Sequence, residues 1–332
     1  MNAQPLLLAS LIQADGFISG RLLAQRLGIN LSSCIDEINK LRQFGLEIES
    51  SDESYRLLNW TETLEFTRLQ RFLSFSSESI LKKFRIQLDA EIDSTNEEAK
   101  RHAKSGDNAS SIFLAKKQTA GRGRLGRVWE STADEGLYLT ILLNTDRTAT
   151  ELMPVTMLIA LAIQEALQLI LPEATSLKWP NDIVYQDRKL CGILIESLME
   201  ASEIRQLIIG IGLNINQAEF ADELTQKAIS LKQITGLSYD PNYIASLIVD
   251  RFLSYYQRFV QADYHFTAFI DQYRRVSATL GRQVRVLRGE RYHEGRAIDI
   301  DEDGAIYIEF SDGCVESFAS GEVQLRGLYG YL

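Results

Sequence analysis

The chain has 332 residues, of which 45% are hydrophobic and 24% charged, and its formal net charge at pH 7 is −10. This composition excludes a disordered chain, and the length predicts roughly two or three domains with a sizeable core. The acidic balance excludes a surface that binds nucleic acid as a whole, although it is compatible with a local basic patch.

The first sixty residues predict a small helical unit that ends in a β hairpin. The predicted helices cover 6–12, 21–27 and 32–44, and the predicted strands cover 46–49 and 54–58. Ser19 is suited to cap the second helix and Ser32 the third, on either side of a turn at Gly28. Two short helices about a glycine-containing turn, followed by a hairpin, are typical of a winged helix-turn-helix, here residues 1–60.

Residues 61–83 are polar with scattered aromatic side chains and predict a connecting helix or linker. A mixed α/β domain built on one sheet is predicted at 84–278, because runs rich in Ile, Leu and Val are separated by helical segments. Ser94 or Thr95 is suited to cap its first helix. The predicted strands cover 84–90, 111–117, 137–143, 183–185, 190–197 and 205–213, and the predicted helices cover 95–104, 151–171 and 243–260.

Residues 279–332 predict a small β barrel. Short strands are separated there by turns such as Asp303-Gly304 and Asp312-Gly313. The predicted strands cover 283–287, 292–300, 305–310 and 314–318. The predicted fold class is therefore α+β.

Cysteine usage and the apolar segments predict a cytoplasmic protein. Cys34, Cys191 and Cys314 lie far apart without a CxxC spacing, so neither a disulfide framework nor a zinc cluster is expected. No membrane contact is predicted, because the N-terminus lacks a basic leader and the apolar stretch 157–171 is interrupted by polar residues.

The most informative segment is rich in glycine and arginine, Gly121-Arg122-Gly123-Arg124-Leu125-Gly126-Arg127. Its glycines satisfy the GxGxxG spacing of a dinucleotide fingerprint, but that fingerprint needs a helix that opens at the loop, and residues 129–136 predict more loop. Three guanidinium groups on a glycine-rich backbone are suited to gather around phosphate and carboxylate oxygens. A solvated basic loop, or a patch that touches nucleic acid, is the alternative.

A second segment, Lys178-Trp179-Pro180-Asn181-Asp182, leads across a predicted hairpin into Arg188-Lys189-Leu190-Cys191-Gly192. Asp182 can hold Mg²⁺ or orient a neighbour, and Lys189 can place positive charge on a developing pentacoordinate phosphate. The plainer alternative is a turn cap and a strand-edge lysine. In a third segment, Gly210-Ile211-Gly212-Leu213-Asn214, the strand glycines predict either a bulge or the close approach of a ligand such as an adenine ring.

Together with Ser94-Thr95-Asn96 and Gln118, these segments resemble biotin–protein ligases of the two-function type, in which a winged helix-turn-helix precedes the ligase domain. The motifs match in order and spacing over essentially the whole chain. The resemblance implies formation of biotinyl-5'-AMP from biotin and ATP with Mg²⁺, followed by transfer to a lysine of the biotin carboxyl carrier protein of acetyl-CoA carboxylase. It also implies an SH3-like C-terminal barrel, repression of biotin-synthesis genes through operator DNA, and a homodimer when the adenylate is bound.

The resemblance assigns roles to individual residues. Lys189, Arg124 and Asp182 would be catalytic, and Asp182 would also place Mg²⁺ or the acceptor lysine. The Gly-Arg segment would close over the adenylate and exclude water. Biotin would contact Ser94, Thr95, Asn96, Gln118, Gly121, Arg122, Arg124, Lys189, Gly192 and Leu194. ATP or the adenylate would contact Arg124, Arg127, Trp129, Lys178, Asn181, Asn214 and Arg326.

The charges of the N-terminal unit leave its role in DNA binding open. The third predicted helix carries Asp36 and Glu37. The predicted β hairpin, which would form the wing, includes Asp52 and Glu53, and family members with a working repressor usually have glycine and basic residues in the wing. Carboxylates that face phosphates oppose binding. A vestigial domain that docks on the rest of the chain is one alternative, and a DNA-binding biotin sensor with little catalysis is another. The predicted DNA contacts are Ser32, Ser33, Asn39, Lys40 and Arg42.

A related family on a similar scaffold transfers lipoyl or octanoyl groups, and some of its members use a cysteine thioester with a nearby lysine. Cys191, two residues from Lys189, keeps this alternative open. The alternation around Cys191 is that of a buried strand, and no histidine lies near it in sequence, which favours the biotin ligase.

Overall fold

The computed structural model describes residues 3–14, 16–76, 79–106, 109–171, 174–200, 203–288, 291–319 and 324–327, of which 79–80, 288, 291 and 324–327 are described by their backbone. Sheets of three, seven and five strands follow one another along the chain. One hydrophobic core runs through all three regions, from Leu7 in the first helix to Phe318 in the last sheet.

The N-terminal region has three helices and a three-stranded antiparallel sheet. They are α1 (Ala3–Gln13), α2 (Gly20–Leu27), α3 (Leu31–Gln43), β1 (Ile18–Ser19), β2 (Ile48–Ser51) and β3 (Ser54–Leu57). Ser19 caps α2 as predicted, since its hydroxyl accepts from the Leu22 amide at 3.2 Å. The predicted cap of α3 is wrong. Asn30 has the extended backbone of a cap and accepts from the Ser33 amide at 2.8 Å, which places Ser32 inside the first turn.

Residues 61–83 contain a packed helix, α4 (Phe66–Ser74), and a short 3-10 turn (Ser79–Lys83). The buried side chains of α4 pack on the long helix α9 (Pro241–Gln261). Arg68 of α4 lies 2.5 Å from the carboxylate of Asp240, the cap of α9, and these side chains are only 11% and 0% exposed. Trp60 adds a hydrogen bond of 3.0 Å to the Ser238 carbonyl. The segment therefore fastens the N-terminal region to the central one.

The central region is built on a mixed seven-stranded sheet, as predicted. Its strands are β4 (Arg85–Ile92), β5 (Ser111–Gln118), β6 (Gly136–Arg147), β7 (Ser176–Lys178), β8 (Asp182–Tyr185), β9 (Arg188–Glu200) and β10 (Glu203–Asn214), in the order β4-β5-β6-β10-β9-β8-β7. Only β4 and β5 are parallel, and the crossover between them is α5 (Thr95–Lys104). The sequence missed β7, which has only three residues.

The two faces of the central sheet are covered differently. In β6, the side chains of Leu139 and Ile141 point to one face, which packs against α7 (Val155–Leu167) and α9. Thr140 points to the other face, toward α5. The predicted helix 151–171 is split into α6 (Ala149–Leu152) and α7, because Pro154 begins a new helix. Among the described residues, one stretch, Ala149–Leu167, is long and apolar enough to cross a membrane, and 72% of its apolar window is buried inside the fold.

The C-terminal region is a small antiparallel sheet that docks on the central one. Trp179 donates from its indole nitrogen to the Gly304 carbonyl at 2.9 Å, which joins the two sheets. The strands are β11 (Gln283–Arg288), β12 (Arg291–Ile300), β13 (Ile306–Phe310), β14 (Val315–Phe318) and β15 (Gln324–Gly327), in the order β14-β13-β12-β11-β15. The sequence missed β15 and the helices α8 (Leu231–Thr235) and α10 (Thr267–Val276).

Candidate active site

A β bulge in the β8–β9 hairpin decides where Lys189 points. Asp182 pairs with Gly192, whereas Val184 pairs with Lys189, so two steps along β8 match three steps along β9 and Leu190 is the extra residue. Paired residues point to the same face of a sheet, and the bulge therefore brings Lys189 to the face of Gly192. The Lys189 ammonium group lies 2.7 Å from Oδ1 of Asp182.

Two glycines of β10 allow large side chains to lie directly on the sheet. A Cβ placed on Gly212 would stand 2.5 Å from the Trp129 ring, and one on Gly210 would overlap the Asn96 amide. The strand pairing is regular at both positions, so the alternative of a bulge is wrong, and the groups that approach the strand closely are the side chains of Trp129 and Asn96. The Lys189 ammonium group lies 5.2 Å from the centre of the Trp129 ring, within range of a cation–π contact. Within the described chain, the Trp129 indole N–H is buried without a hydrogen-bond acceptor.

The first turn of α5 forms a polar wall. Ser94 is the N-cap, but its hydroxyl makes no capping bond, so only its predicted position is right. Thr95 donates from its backbone amide to Oε1 of Gln118 at 2.9 Å. Gln118 in turn donates from Nε2 to the Ser131 hydroxyl at 2.9 Å. Ser94, Thr95 and Asn96 are all nearly inaccessible, at 4%, 5% and 6% exposure, so these polar groups face the interior of a cleft.

The glycine- and arginine-rich loop contains a single 3-10 turn (Arg124–Gly126), and no helix opens between it and strand β6. This confirms that the GxGxxG spacing is not a dinucleotide fingerprint. Arg124 reaches across the cleft and donates to Oδ1 of Asn181 at 3.2 Å. Burial lowers the pKa of Arg124, and the nearby Asp182 carboxylate opposes this effect. Leu125 has a left-handed backbone, with φ 57°, and is 67% exposed at the tip of the loop.

The structure brings most of the predicted ligand contacts into one cleft. Asp182 lies beside it through its pair with Lys189. Gly121, Arg127, Lys178 and Asn214 are not among its lining residues in the described chain, and Asn214 instead ties β10 to the Ile229 carbonyl at 3.1 Å. Arg326 lies in β15, and its side chain is outside the described residues. The predicted contacts that line the cleft are Ser94, Thr95, Asn96, Gln118, Arg122, Arg124, Trp129, Asn181, Lys189, Gly192 and Leu194.

Sequence reasoning missed three residues that hold these groups in place. Thr140, Ser131 and Glu196 hydrogen-bond to the predicted contacts from neighbouring elements. Thr140 had a visible signal, since it is the one aliphatic hydroxyl in the otherwise apolar and aromatic strand 137–143. Ser131 and Glu196 reach the predicted contacts only through the tertiary arrangement of loop and strands, which the local sequence does not indicate.

Cys191 is not available for thioester chemistry. It is adjacent to Gly192 in β9 and so points to the opposite face of the sheet, where it is fully buried. Burial raises the pKa of its thiol far above the ordinary value, which keeps it protonated at neutral pH. This contradicts the cysteine variant of the lipoyl and octanoyl alternative.

The predicted DNA contacts lie on or near the outer face of α3. Ser32 and Asn39 are exposed and Ser33 is partly buried. Lys40 is paired with Glu37 at 2.6 Å. Arg42 donates to the Ile48 carbonyl at 2.8 Å, so its guanidinium connects α3 to β2.

Two protein-family models match the chain. Residues 89–214 match the biotin/lipoate A/B protein ligase family, and residues 279–326 match the biotin protein ligase C-terminal domain. The bifunctional ligase/repressor BirA of Bacillus spizizenii is 30% identical over 312 residues, which are 93% of this chain and 94% of the relative. The chain belongs to the biotin protein ligase family.

Other members of the biotin protein ligase family also match most of the chain. The bifunctional ligase/repressor BirA of Escherichia coli is 27% identical over 98% of both chains. The biotin protein ligase from Aquifex aeolicus, solved in complex with biotin and ATP, is 31% identical with a TM-score of 0.63, and the match covers 73% of this chain and 99% of that one. The family predicted from the sequence motifs is confirmed.

Proposed function

We propose that this chain joins biotin to ATP as biotinyl-5'-AMP and then transfers the biotinyl group to a lysine of the biotin carboxyl carrier protein. The observation that carries this proposal is the composition of one cleft. Cations on a closing loop and on β9, Arg122, Arg124 and Lys189, face the buried polar wall at the start of α5. Such a site can hold a neutral polar ring at one end and several anionic groups at the other.

In the first step, a carboxylate oxygen of biotin attacks the α-phosphorus of ATP, and pyrophosphate leaves with the electrons of the broken P–O bond. Two anions approach each other, so the chain must mainly neutralise charge and position the reactants. Lys189 and Arg124 are the cations that would contact the carboxylate and the α-phosphate. No residue of the chain needs to act as a nucleophile.

The two ends of biotin would meet different parts of the cleft. Ser94, Thr95, Gln118 and Asn96 would bind the ureido ring, and Leu194 would pack on its apolar part, with Gly192 leaving room beside it. Trp129 would stack near the adenine, because its ring lies over Gly212 and its indole N–H has no acceptor within the described chain. Arg127, Lys178 and Asn214 do not line the cleft and would contact the nucleotide only after a rearrangement. Arg326 would contact it from the C-terminal region.

Magnesium would reach the site mainly through the nucleotide. Among the described residues, no group of three or more His, Cys, Asp and Glu side chains is placed to hold a metal ion. Asp182 is already paired with Lys189, and Mg²⁺ commonly binds through one carboxylate, phosphate oxygens and water. Asp182 fits that role, and Mg²⁺ bound there would offset the charge of the triphosphate.

In the second step, the uncharged amine of the acceptor lysine attacks the carbonyl carbon of the adenylate, forming an amide and releasing AMP and a proton. The acyl adenylate is readily hydrolysed, so the loop 121–127 would exclude water until the acceptor binds. The loop carries exposed apolar residues, Leu125 at 67% and Val128 just beyond it at 83%, which a closed state would cover.

The decisive experiment is ATP-dependent labelling of a biotin carboxyl carrier domain by the purified chain. Biotin, lipoate and octanoate are supplied in parallel, and pyrophosphate release is measured without acceptor. We expect labelling with biotin alone. Labelling with lipoate or octanoate and none with biotin would contradict the proposal.

A second function, repression of biotin-synthesis genes by operator binding, is supported by the N-terminal region. There α2 and α3 flank a short turn and the β2–β3 hairpin follows, as in a winged helix-turn-helix. The adenylate-bound chain would act as a homodimer in the cytoplasm. Against strong binding stand Asp52 and Glu53 at the hairpin turn and the pairing of Lys40 with Glu37.

Gel shift on a biotin-synthesis promoter at low and high salt, with and without adenylate, tests this second function. A shift at low salt that weakens as salt rises would support it. No shift at low salt with adenylate bound would leave residues 1–60 as a docking domain on the ligase region of 84–278.

The C-terminal residues 279–332 would form an SH3-like barrel that closes the nucleotide side.

A further inference from the structure

A hydrogen-bond chain runs from the edge of the cleft to its polar wall. Asn96 donates from Nδ2 to Glu196 of β9 at 2.8 Å. On its other side, Oδ1 of Asn96 lies 2.7 Å from the Thr140 hydroxyl, which lies 2.8 Å from the Thr95 hydroxyl. Thr140 is fully buried, and Thr95 and Asn96 are nearly so. These bonds are therefore largely shielded from bulk solvent.

The carboxylate of Glu196 sets the direction of the first two bonds. A carboxylate can only accept, so Asn96 must turn its amide NH₂ toward Glu196. The Leu194 carbonyl, 3.5 Å from the same nitrogen, favours the same orientation. The amide oxygen of Asn96 then faces Thr140, and the single hydroxyl proton of Thr140 must be donated to it.

These directions leave Thr95 as an acceptor toward the cleft. The Thr140 hydroxyl donates its only proton in the hydrogen bond to Asn96, so it can act only as an acceptor toward Thr95. Oε1 of Gln118 lies 3.2 Å from the Thr95 hydroxyl. It is also an acceptor, because it already accepts a hydrogen bond from the Thr95 backbone amide. Both protein neighbours of the Thr95 hydroxyl are acceptors, so its proton stays inside the protein and a lone pair faces the ligand.

The ammonium group of Lys100 keeps Glu196 in place. Lys100 lies 2.7 Å from Oε1 of Glu196 and 2.9 Å from Glu97. Burial lowers the pKa of Lys100, but its hydrogen bonds to Glu196 and Glu97 outweigh burial and raise it above the ordinary value. Glu196 therefore accepts through both oxygens, one from Lys100 and one from Asn96.

We propose that Glu196 is a positioning residue that holds the Thr95 hydroxyl as a hydrogen-bond acceptor and thereby selects a ligand with an N–H group at that point. The inference rests on the proposed function, since the ureido ring of biotin supplies such an N–H. A ligand that presents only an oxygen there would face a lone pair, and the loss of one buried hydrogen bond disfavours it by roughly ten- to a hundredfold.

The proposal is tested by measuring pyrophosphate release in the absence of acceptor protein. The substrates are biotin and the two cyclic carbamates in which a ring oxygen replaces one of the two ureido N–H groups. The wild-type chain should prefer biotin over one carbamate by about tenfold or more. Glu196→Leu should reduce that preference by about tenfold while the KM for ATP stays within about twofold, because Asn96 is then free to turn over. Glu196→Gln retains an acceptor oxygen for Asn96 and should show the wild-type preference for biotin. Lys100→Met removes the group that keeps Glu196 in place and should lower the preference less than Glu196→Leu does, because Asn96 still has the carboxylate as an acceptor.

An equal loss of kcat/KM for biotin and the carbamate in Glu196→Leu would show a merely structural role and overturn the inference. Thr140→Val repeats the test within the same chain of bonds and with nearly the same shape, in case Glu196→Leu does not fold. An unchanged preference in Thr140→Val would also overturn it. If the wild-type chain releases no pyrophosphate with biotin, the proposed function itself fails, which is a separate result.

Discussion

Lys189 and Asp182 hold each other at 2.7 Å on one face of the β8–β9 hairpin. The pair depends on the bulge at Leu190, without which Lys189 would point to the opposite face. Trp129 flanks the ammonium group on another side. The position of this charge is therefore fixed before any substrate binds, as electrostatic stabilisation of a transition state requires.

Lys189→Met should lower kcat for adenylate formation by about 100-fold or more, because a charge placed on the α-phosphate is lost. Lys189→Arg should recover part of the loss. Pyrophosphate release measures both. Lys117→Met is the control, since Lys117 is paired with Glu91 at 2.8 Å and is not among the described residues that line the cleft. An equal loss in Lys117→Met would show that the effect is general and not specific to Lys189.

Arg124→Gly should release the adenylate before transfer. The guanidinium crosses the cleft to Asn181, so its removal opens the loop over the intermediate. We expect the adenylate to dissociate about tenfold faster, which corresponds to the loss of one charge-assisted hydrogen bond of about 1.4 kcal/mol. Biotin should then appear on lysines of an unrelated protein added to the assay. Arg205→Ala removes a guanidinium that is paired with Glu200 and does not line the cleft, so this control variant should leave that protein unlabelled.

The sequence indicated most of the residues that line the cleft, but it did not indicate the residues that support them. The motif residues are local runs, such as 94–96 and 188–192, and their chemistry can be recognised in place. Glu196 and Thr140 act through β9 and β6, which reach Asn96 only because of the strand order of the sheet. The cap of α3 was misplaced because Asn30 and Ser32 are both good caps, and the backbone conformation that chooses between them is a tertiary outcome.

Gly212→Ala should leave the fold intact and weaken nucleotide binding. The added methyl group would stand 2.5 Å from the Trp129 ring, which must swing away from the sheet. Overpacking of this kind costs roughly 1–3 kcal/mol, so we expect the KM for ATP to rise by about tenfold with little change in the KM for biotin.

The double variant Gly212→Ala with Trp129→Leu separates steric displacement from other effects. A smaller side chain leaves room for the methyl group, so adding Gly212→Ala to Trp129→Leu should change the KM for ATP by less than about twofold. A full tenfold effect in the double variant would show that Gly212 acts through something other than the indole ring.

Arg68→Leu should weaken the attachment of the N-terminal region and make its stability depend on pH. Burial raises the pKa of Asp240, while the Arg68 guanidinium opposes the rise. Without Arg68, the carboxylate remains buried and unpaired, which costs about 3 kcal/mol of unfolding free energy at pH 8. The folded chain then binds the Asp240 proton more tightly than the unfolded chain does, so stability is lost as pH rises through the folded pKa and regained on acidification.

Urea unfolding at pH 5 and pH 8 measures this dependence, and the deficit of Arg68→Leu relative to the wild-type chain should be smaller at pH 5. Arg56→Leu is the matched control, because its partner Glu49 and Arg56 itself are both 42% exposed. An exposed pair of this kind contributes less than about 1 kcal/mol. A deficit in Arg68→Leu that is equally small, or that grows on acidification, would contradict this role of the Arg68–Asp240 pair. The two regions would then be held together by the packing of Leu69, Phe72 and Leu73 on α9 alone.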